Sequence, residues 1–256
     1  MGNTSYVVLW SLALSAGLGL ATGCASRRAN PEPRAVAPRP EAPTPQPVTN
    51  AEAKVILPPG AAKAPAPFEG EGWEAMFDGR SLRGWRATAF AGHGEVHRES
   101  GVIVLGMGDP FTGINWTNAF PKMDYEVALD AMRLSGSDFF CGLTLPVGTN
   151  FCSLIVGGWG GSLVGISSLD GMDASENETT KFMSFETGRW YRIRLRVTEK
   201  KIQAWIDGDK VVDVDTVGKR ISVRPGDIEM SEPFGLAAWE TSAAYREVRF
   251  RRVNGS

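Results

Sequence analysis

The chain lacks an excess of positive charge, an apolar run long enough to span a bilayer, and any long helical periodicity. Residues 68–253 hold 21 basic and 26 acidic side chains. This excess of acidic side chains excludes nucleic acid as an expected partner, because binding to its phosphates requires a concentrated basic surface. The apolar run at residues 7–21 is shorter than the roughly 17–25 residues of a spanning helix. No segment carries a long amphipathic stripe, which argues against a helical core.

The start of the chain has the composition of an export signal. The apolar run ends at Thr22-Gly23-Cys24, which resembles the lipobox of bacterial lipoproteins, where cleavage leaves a lipid-modified cysteine as the new N-terminus. Ala21 stands where leucine is usual, and no Lys or Arg precedes the run. Plain secretion and an uncleaved anchor therefore stay open as alternatives to lipidation at Cys24.

A proline-rich segment follows this signal. Residues 25–67 hold eleven of the sixteen prolines and no aromatic residue, so little apolar surface is available to order them. We expect a signal peptide at 1–23, a disordered tether at 24–67 and a folded domain at 68–253. A protein of this kind is exported to the cell envelope, in the outer membrane or periplasm, and meets a membrane through its N-terminal lipid only.

The clearest secondary-structure signal lies between Trp190 and Asp215. Apolar residues at positions 191, 193, 195 and 197 alternate with arginines, as in a half-buried strand. Two further runs, at 202–206 and 211–214, are separated by an Asp-Gly turn. Other strand-like runs lie at 101–105, 125–132, 139–145, 151–156, 162–167 and 245–252. The pattern predicts an all-β sandwich of two antiparallel sheets.

Four segments in order also carry a family resemblance: MFDGRSLRGW (76–85), DYEVALDAMRL (124–134), GRWYRIRLRVTEKKIQAWIDGDKVVD (188–213) and FGLAAWETSAAYREVRFRRV (234–253). The chain resembles the domain of unknown function 1080 family, also called the 3-keto-disaccharide hydrolase domain. The resemblance implies a concanavalin A-like jelly roll in an exported protein. It also implies a glycan or oxidised disaccharide as ligand, and hydrolysis of 3-keto glycosides without a required cofactor.

The chain departs from that family pattern at two places. Many members carry a polar Gln-Asp-His run near the C-terminus, where this chain has Ala237, Ala238 and Trp239. The expected Glu-x-Gln strand is replaced by SLIVGGWGG at 153–161. Three hypotheses therefore stand: a glycoside hydrolase, a non-catalytic glycan-binding module, and a structural protein of the cell envelope.

Catalytic candidates follow from the chemistry of glycoside cleavage. Glu126 and Asp130 share a strand face, but about 13 Å of backbone separates them. That distance exceeds the separation of a glycosidase carboxyl pair, and the E-x-D-x-x-E motif of laminarinase-like enzymes is absent from the sequence. A 3-keto sugar can instead undergo elimination across C1–C2 with one base and one carbonyl polariser.

The side chains available for these roles are spread along the chain. A loop histidine is an expected base, with polar surface as the alternative, and an arginine beside the Trp190 strand is an expected polariser, with a surface ion pair as the alternative. The catalytic candidates are Glu126, Asp130, Asp138, His93 with His97 as a second choice, and Arg189.

Two further clusters suggest binding. The acidic loop LDGMDASENETT holds Asp170, Asp173, Glu176 and Glu178, which can hold a divalent cation or place one carboxylate over a sugar, although the spacing is not that of an EF-hand. A solvated loop is the alternative.

Tryptophans provide the second cluster. Trp159 stands between two Gly-Gly pairs, so its ring has little cover and can stack on a pyranose, and Trp116 and Trp239 can extend this platform. Buried core tryptophan is the alternative. Cys141 and Cys152 lie in one predicted hairpin, where a symmetric turn does not place them opposite each other, so we expect two buried free thiols; a disulfide across the hairpin is the alternative in an oxidising, exported setting.

Overall fold

A computed structural model describes residues 57–254. This part of the chain contains fifteen β-strands and two 3-10 turns, at Pro59–Ala62 and Asp227–Ser231, and no α-helix. Across the same residues, no helix is long and apolar enough to cross a membrane. The expected signal peptide at 1–23, the lipidation at Cys24 and the tether up to residue 56 lie outside the described residues.

The strands are numbered in chain order. They are β1 (Glu74–Ala75), β2 (Trp85–Ala87), β3 (Val96–Glu99), β4 (Val102–Leu105), β5 (Phe111–Trp116), β6 (Tyr125–Gly136), β7 (Cys141–Val147), β8 (Asn150–Gly158), β9 (Leu163–Ser167), β10 (Lys181–Phe182), β11 (Trp190–Val197), β12 (Lys201–Ile206), β13 (Asp209–Asp215), β14 (Gly235–Trp239) and β15 (Thr241–Arg252).

These strands form two antiparallel sheets. One sheet has eight strands in the order β13-β12-β11-β6-β15-β4-β3, with β1 paired to β15, and the other has seven in the order β10-β9-β8-β7-β14-β5-β2. The predicted all-β sandwich of two antiparallel sheets is confirmed.

The main core lies between the two sheets. In β11 buried and half-buried residues alternate along the whole strand, so the apolar positions that the sequence singled out face the core. Tyr125 of β6 crosses the core to donate a hydrogen bond to the carbonyl of Pro146, and Tyr245 of β15 donates one to that of Phe140. Two buried hydroxyl groups are thereby satisfied, and each links one sheet to the other.

The hairpin of β7 and β8 carries both remaining cysteines. Cys141 pairs with Val156, and Cys152 pairs with Leu145, so the two thiols are not opposite each other. Both are buried and free, which confirms the expectation from the sequence.

Residues 57–73, which we call the strap, lie against the outer face of the eight-stranded sheet. Leu57 packs on an apolar cluster there. Arg246 donates hydrogen bonds to the carbonyls of Ala61 and Lys63, and Arg192 donates one to that of Ala66. The domain therefore begins before residue 68, and the end of the expected tether at 57–67 is fixed to the sheet.

Candidate functional site

A cavity of about 510 Å³ lies on the outer face of the seven-stranded sheet. Its floor comes from strands whose other face fills the core: in β8, Cys152 and Leu154 point inward and Ser153 and Ile155 point outward. The loop at residues 224–228 covers one side. The lining residues are Phe111, Asp138, Phe139, Ser153, Ile155, Trp159, Ser167, Asp173, Arg224, Pro225, Gly226, Asp227, Ile228 and Trp239.

Aromatic rings form one wall of this cavity. Trp239 meets Phe111 edge to face, with ring centroids 4.5 Å apart at 86°, and Phe111 stacks on Phe90 at 4.8 Å. Phe139 lies beside both Phe111 and Trp239. These rings pack together as a small second core, so the half-buried ring of Trp239 is held rigidly beside the cavity.

Trp159 differs from these rings because its side chain is open to solvent. The residue is 43% exposed, and its backbone has a φ of 48°, which is uncommon for a residue with a large side chain. Asp138 supports the turn from the side, since one of its carboxylate oxygens accepts a hydrogen bond from the backbone N–H of Gly160 at 3.1 Å. Its other oxygen accepts from the N–H of Phe139 at 2.7 Å.

Polar side chains form the opposite wall. The carboxylate of Asp173 accepts a hydrogen bond from the Ser167 hydroxyl at 2.5 Å and pairs with the Arg224 guanidinium at 2.7 Å. Arg224 is more than half exposed, and its Cζ lies 5.9 Å from the centroid of the Trp159 ring. On the floor of the cavity, the Ser153 and Thr144 hydroxyl groups share a hydrogen bond of 2.7 Å. Two indoles, three hydroxyl groups, three carboxylates and one guanidinium therefore belong to a single cavity or its floor.

A family model described as the 3-keto-alpha-glucoside-1,2-lyase-like domain matches residues 72–251. The chain belongs to this family. The matched span includes all fifteen strands apart from the last residue of β15, and it includes the whole lining of the cavity. A search of curated proteins found no match.

Solved structures of the same shape come from several bacteria. A Bacillus subtilis protein of unknown function with a galectin-like fold is 11% identical, with a TM-score of 0.51 over 72% of this chain and 100% of that one. The carbohydrate-binding module CBM66 of B. subtilis is 13% identical, with a TM-score of 0.45 over 66% and 95%. Domain 4 of the Geobacillus stearothermophilus arabinanase AbnA, solved with arabinotriose, is 13% identical, with a TM-score of 0.44 over 67% and 84%. At these identities, the likeness shows the fold alone.

The structure divides the site residues expected from the sequence into two groups. The cavity of this family member brings together Asp138, Trp159, Asp173 and Trp239. The remaining candidates lie elsewhere: Glu126, Asp130, His93, His97, Arg189, Trp116, Asp170, Glu176 and Glu178.

Glu126 and Asp130 lie on the outer face of the other sheet, in the first half of β6. Glu126 is fully buried and pairs with Arg194, Arg196 and Arg251. Asp130 pairs with Arg192 and Arg246, which also hold the strap. Both expected catalytic carboxylates therefore lie in ion pairs on the face that is turned away from the cavity.

The other catalytic candidates also have local partners. Arg189 pairs with Asp207 at 2.8 Å and lies over the ring of Tyr191. The Nδ1 of His93 lies 2.9 Å from the carbonyl of Gly94 in an exposed loop. His97 lies in β3 at the edge of the eight-stranded sheet, near Glu95. The structure thus replaces Arg189 with Arg224 as the arginine of the cavity.

The acidic loop folds around cations of the protein itself. Lys219 pairs with Glu178 at 2.5 Å and with Asp170 at 3.7 Å. The hydrogen bond from Lys219 to Glu178 holds the pKa of Glu178 below its usual value. Glu176 accepts from the backbone N–H of Asp173. Within residues 57–254 no group of three His, Cys, Asp or Glu side chains is arranged to hold a metal ion.

Trp116 is half-buried against the main core and does not line the cavity. Its ring packs edge to face on Trp85 at 5.1 Å and covers Gly84, where an added Cβ would stand 2.6 Å from the indole. Of the three tryptophans expected to form a platform, Trp159 and Trp239 therefore share the cavity and Trp116 does not.

The sequence pointed to four of the fourteen lining residues. Three other lining residues, Phe111, Ser167 and Arg224, come from separate segments of the chain. The sequence around each of them carries no pattern that indicates a shared cavity. One signal was available for Ser153 and Ile155. They alternate with Cys152 and Leu154 in β8, so a hairpin with inward cysteines places them on the outer face.

Proposed function

We propose that the protein binds a saccharide in this cavity, with a sugar ring stacked on Trp159. The observation that carries the proposal is the exposed indole of Trp159 inside a cavity of about 510 Å³. Small-molecule sites have about 300–1,000 Å³ and combine apolar walls with a few convergent polar groups. An indole offers a flat apolar surface to the C–H face of a pyranose, and Trp239 offers a second one at the side.

Polar groups around the indole suit the hydroxyl groups of a sugar. Each oxygen of Asp138 accepts one backbone N–H, which leaves further lone pairs for ligand hydroxyls. Arg224 is held by Asp173, and the rest of its planar fork of donors is free to meet a ligand oxygen. Asp138 contacts the turn that carries Trp159, and the Arg224 guanidinium lies 5.9 Å from the indole, so both charged groups would be near a ring stacked there.

A second candidate function is the conversion of a 3-keto glycoside. The family supports it, and so does the presence of two carboxylates and an arginine in one cavity. In this reaction a carboxylate removes the C2 proton, which the C3 ketone acidifies, and the glycosidic oxygen leaves C1 with the bonding pair and takes up a proton. Addition of water across C1–C2 completes the hydrolysis. We assign the base to Asp138 or Asp173 and the stabilisation of the C3 oxygen to Arg224.

We also propose that the protein is exported and tethered to the cell envelope through Cys24. The lipobox-like run before Cys24 and the proline-rich stretch after it support this location. Metabolic labelling with a palmitate analogue, with Cys24→Ala as the control, tests it. Equal labelling of both proteins, or none, would count against the tether.

One experiment separates the candidate functions. The purified chain is mixed with 3-keto-glucosides and with the parent glycosides, and binding and sugar release are followed together, with and without a chelator. Saturable binding without sugar release supports a binding module, and sugar release supports an enzyme. If neither binding nor release is observed, the structural role remains. Loss of either signal with the chelator would reveal a divalent cation.

Variants then locate the event. We expect Trp159→Ala to weaken binding about tenfold, because ring stacking contributes on the order of 1 kcal/mol beyond area burial. Trp205→Phe is the matched control, since Trp205 lies under Arg194 on the eight-stranded sheet. Unchanged binding by Trp159→Ala would refute the assignment of the cavity.

A further inference from the structure

Arg133 lies beneath Trp159 and comes from the other sheet. It belongs to β6, and it continues the inward-facing series of Leu129 and Ala131, so its side chain points between the sheets. The residue is 6% exposed. Its guanidinium crosses the sandwich and ends under residues 157–161, which we call the Trp159 loop.

The guanidinium contacts the Trp159 loop at both ends. Its Nη2 donates to the carbonyl of Gly161 at 2.9 Å and to that of Gly157 at 3.3 Å. The same nitrogen lies 3.2 Å from the carbonyl of Asp138, whose carboxylate holds Gly160 from the outside. One buried cation therefore fixes the two points between which the chain turns to expose Trp159.

This guanidinium restricts side chains at two of the four glycines of the loop. A Cβ on Gly157 would stand 2.6 Å from Nη2, and one on Gly161 would stand 2.9 Å from the carbonyl oxygen of Ser137 and 3.3 Å from both terminal nitrogens of Arg133. Both glycines have positive φ, at 79° and 105°, where side chains are strained. The Gly-Gly-Trp-Gly-Gly run is thus a cradle for Arg133 on its inner side as well as a mount for the indole.

The charge of Arg133 is expensive to bury. Among residues 57–254, no carboxylate lies within ion-pair distance of its guanidinium, and its buried Nε has no hydrogen-bond partner. Burial lowers the pKa of Arg133, and the charge of Asp138 offsets this in part. The ring of Phe140, 5.1 Å away, gives a further contact. A buried cation held by carbonyl groups is weak evidence for stability, whereas two of its three side-chain hydrogen bonds go to the loop that carries Trp159.

We propose that Arg133 is the positioning residue of the sugar site: it holds the Trp159 loop in the conformation that turns the indole into the cavity. The proposal rests on the proposed saccharide binding, and it deepens it by assigning the orientation of Trp159 to a residue outside the cavity. Arg133 acts on the ligand through Trp159 and touches no ligand itself.

A double-mutant cycle tests this dependence. Arg133→Lys keeps the charge, but its side chain is one bond shorter and ends in a single ammonium group in place of the planar guanidinium. It should therefore lose the reach to the Gly157 and Gly161 carbonyls, and we expect saccharide binding to weaken at least threefold. In the Trp159→Ala background the same change should alter affinity less than twofold, because the indole it positions is absent. Equal effects of Arg133→Lys in both backgrounds would overturn the proposal, since a general loss of stability acts in both.

A ligand-free measurement keeps the two proposals separate. The indole N–H resonance of Trp159 is assigned by its absence in Trp159→Phe, and we expect it to shift or broaden in Arg133→Lys. Arg189→Lys, a change at an exposed ion pair outside the cavity, is the control and should leave that resonance in place. An unchanged resonance in folded Arg133→Lys refutes the positioning role even if the wild type binds sugar. A shifted one supports it even if no sugar binds.

A second variant tests the same proposal in case Arg133→Lys does not fold. Gly161→Ala places a methyl group 3.3 Å from both terminal nitrogens of Arg133 and 2.9 Å from the carbonyl oxygen of Ser137, so it disturbs the loop at its contact with Arg133 without changing Arg133. We expect the same shift of the Trp159 resonance and the same dependence on Trp159 in the binding cycle. Wild-type behaviour of folded Gly161→Ala in both measurements would overturn the proposal.

Discussion

Substitution of Glu126 by Gln tests whether the charged residues of β6 support the fold or the chemistry. The Glu126 side chain is fully buried; its Oε1 lies 3.2 Å from Arg194 and 3.1 Å from Arg196, and its Oε2 lies 2.5 Å from Arg251. Glutamine fills the same space but carries no charge, and its NH₂ group would face an arginine donor. Three guanidinium groups would then lose their shared counter-ion.

The expected magnitude follows from burial. Removing one partner of a buried ion pair costs about 3–5 kcal/mol. The three arginines remain 15–35% exposed and can recover some hydration, so we expect about 3 kcal/mol. For a domain of this size, each kcal/mol lowers Tm by about 2–4 °C, which gives a decrease of roughly 6–12 °C.

Thermal unfolding followed by circular dichroism measures this shift, and saccharide binding is measured on the same samples. Asp215→Asn is the control, because Asp215 forms an exposed pair with Lys201, and such pairs contribute about 0–1 kcal/mol. We expect binding by folded Glu126→Gln to stay within twofold of the wild type. Loss of binding or sugar conversion without a change in Tm would refute the structural role of Glu126.

Two further predictions concern titratable groups. Cys141 and Cys152 should resist iodoacetamide at pH 8 in the folded protein and react in urea, because burial raises the pKa of Cys152 to about 12 and that of Cys141 strongly and the thiolate is the reactive form; rapid native labelling in mass spectrometry would contradict this. Hydrogen bonds from Lys210 and Lys201 lower the pKa of Asp213 from 3.8 to about 2, so its stabilisation is present above about pH 4 and is lost as the pH falls through 2. Asp213→Asn should therefore lower Tm at pH 5 and match the wild type near pH 2, and an equal difference at both pH values would contradict the linkage.

The strand with the clearest sequence signal has one face in the core and one turned toward solvent. β11 alternates along its full length, so its period and its inward face were readable. β4, β7 and β9 are buried at every position and were recognised as short apolar runs instead. β5 was not predicted, because its first five residues are buried and so show no alternation, and its sequence FTGINW mixes apolar residues with Thr, Gly and Asn.

The site was harder to predict than the fold for a related reason. Trp159 was found because four glycines mark it locally, but its partner Arg133 was not, since their contact is made across two sheets. Glu126 and Asp130 were predicted to be catalytic because they are carboxylates on one strand face. The sequence does not show that arginines from β11 and β15 surround them. The sequence gives the charge of each side chain, but its ion-pair partners depend on the tertiary structure.

The two outer faces of the sandwich divide charged and aromatic residues between support and binding. On the eight-stranded sheet the strap closes the surface, with Phe68 under Arg192 and Trp73 under Arg251, so rings and guanidinium groups satisfy one another. On the seven-stranded sheet Trp159 lies beside Arg224 at 5.9 Å, and both side chains stay open to solvent. Similar residue types therefore contact one another on one face and stay open to solvent on the other, which supports the proposal that a ligand binds on the face of Trp159.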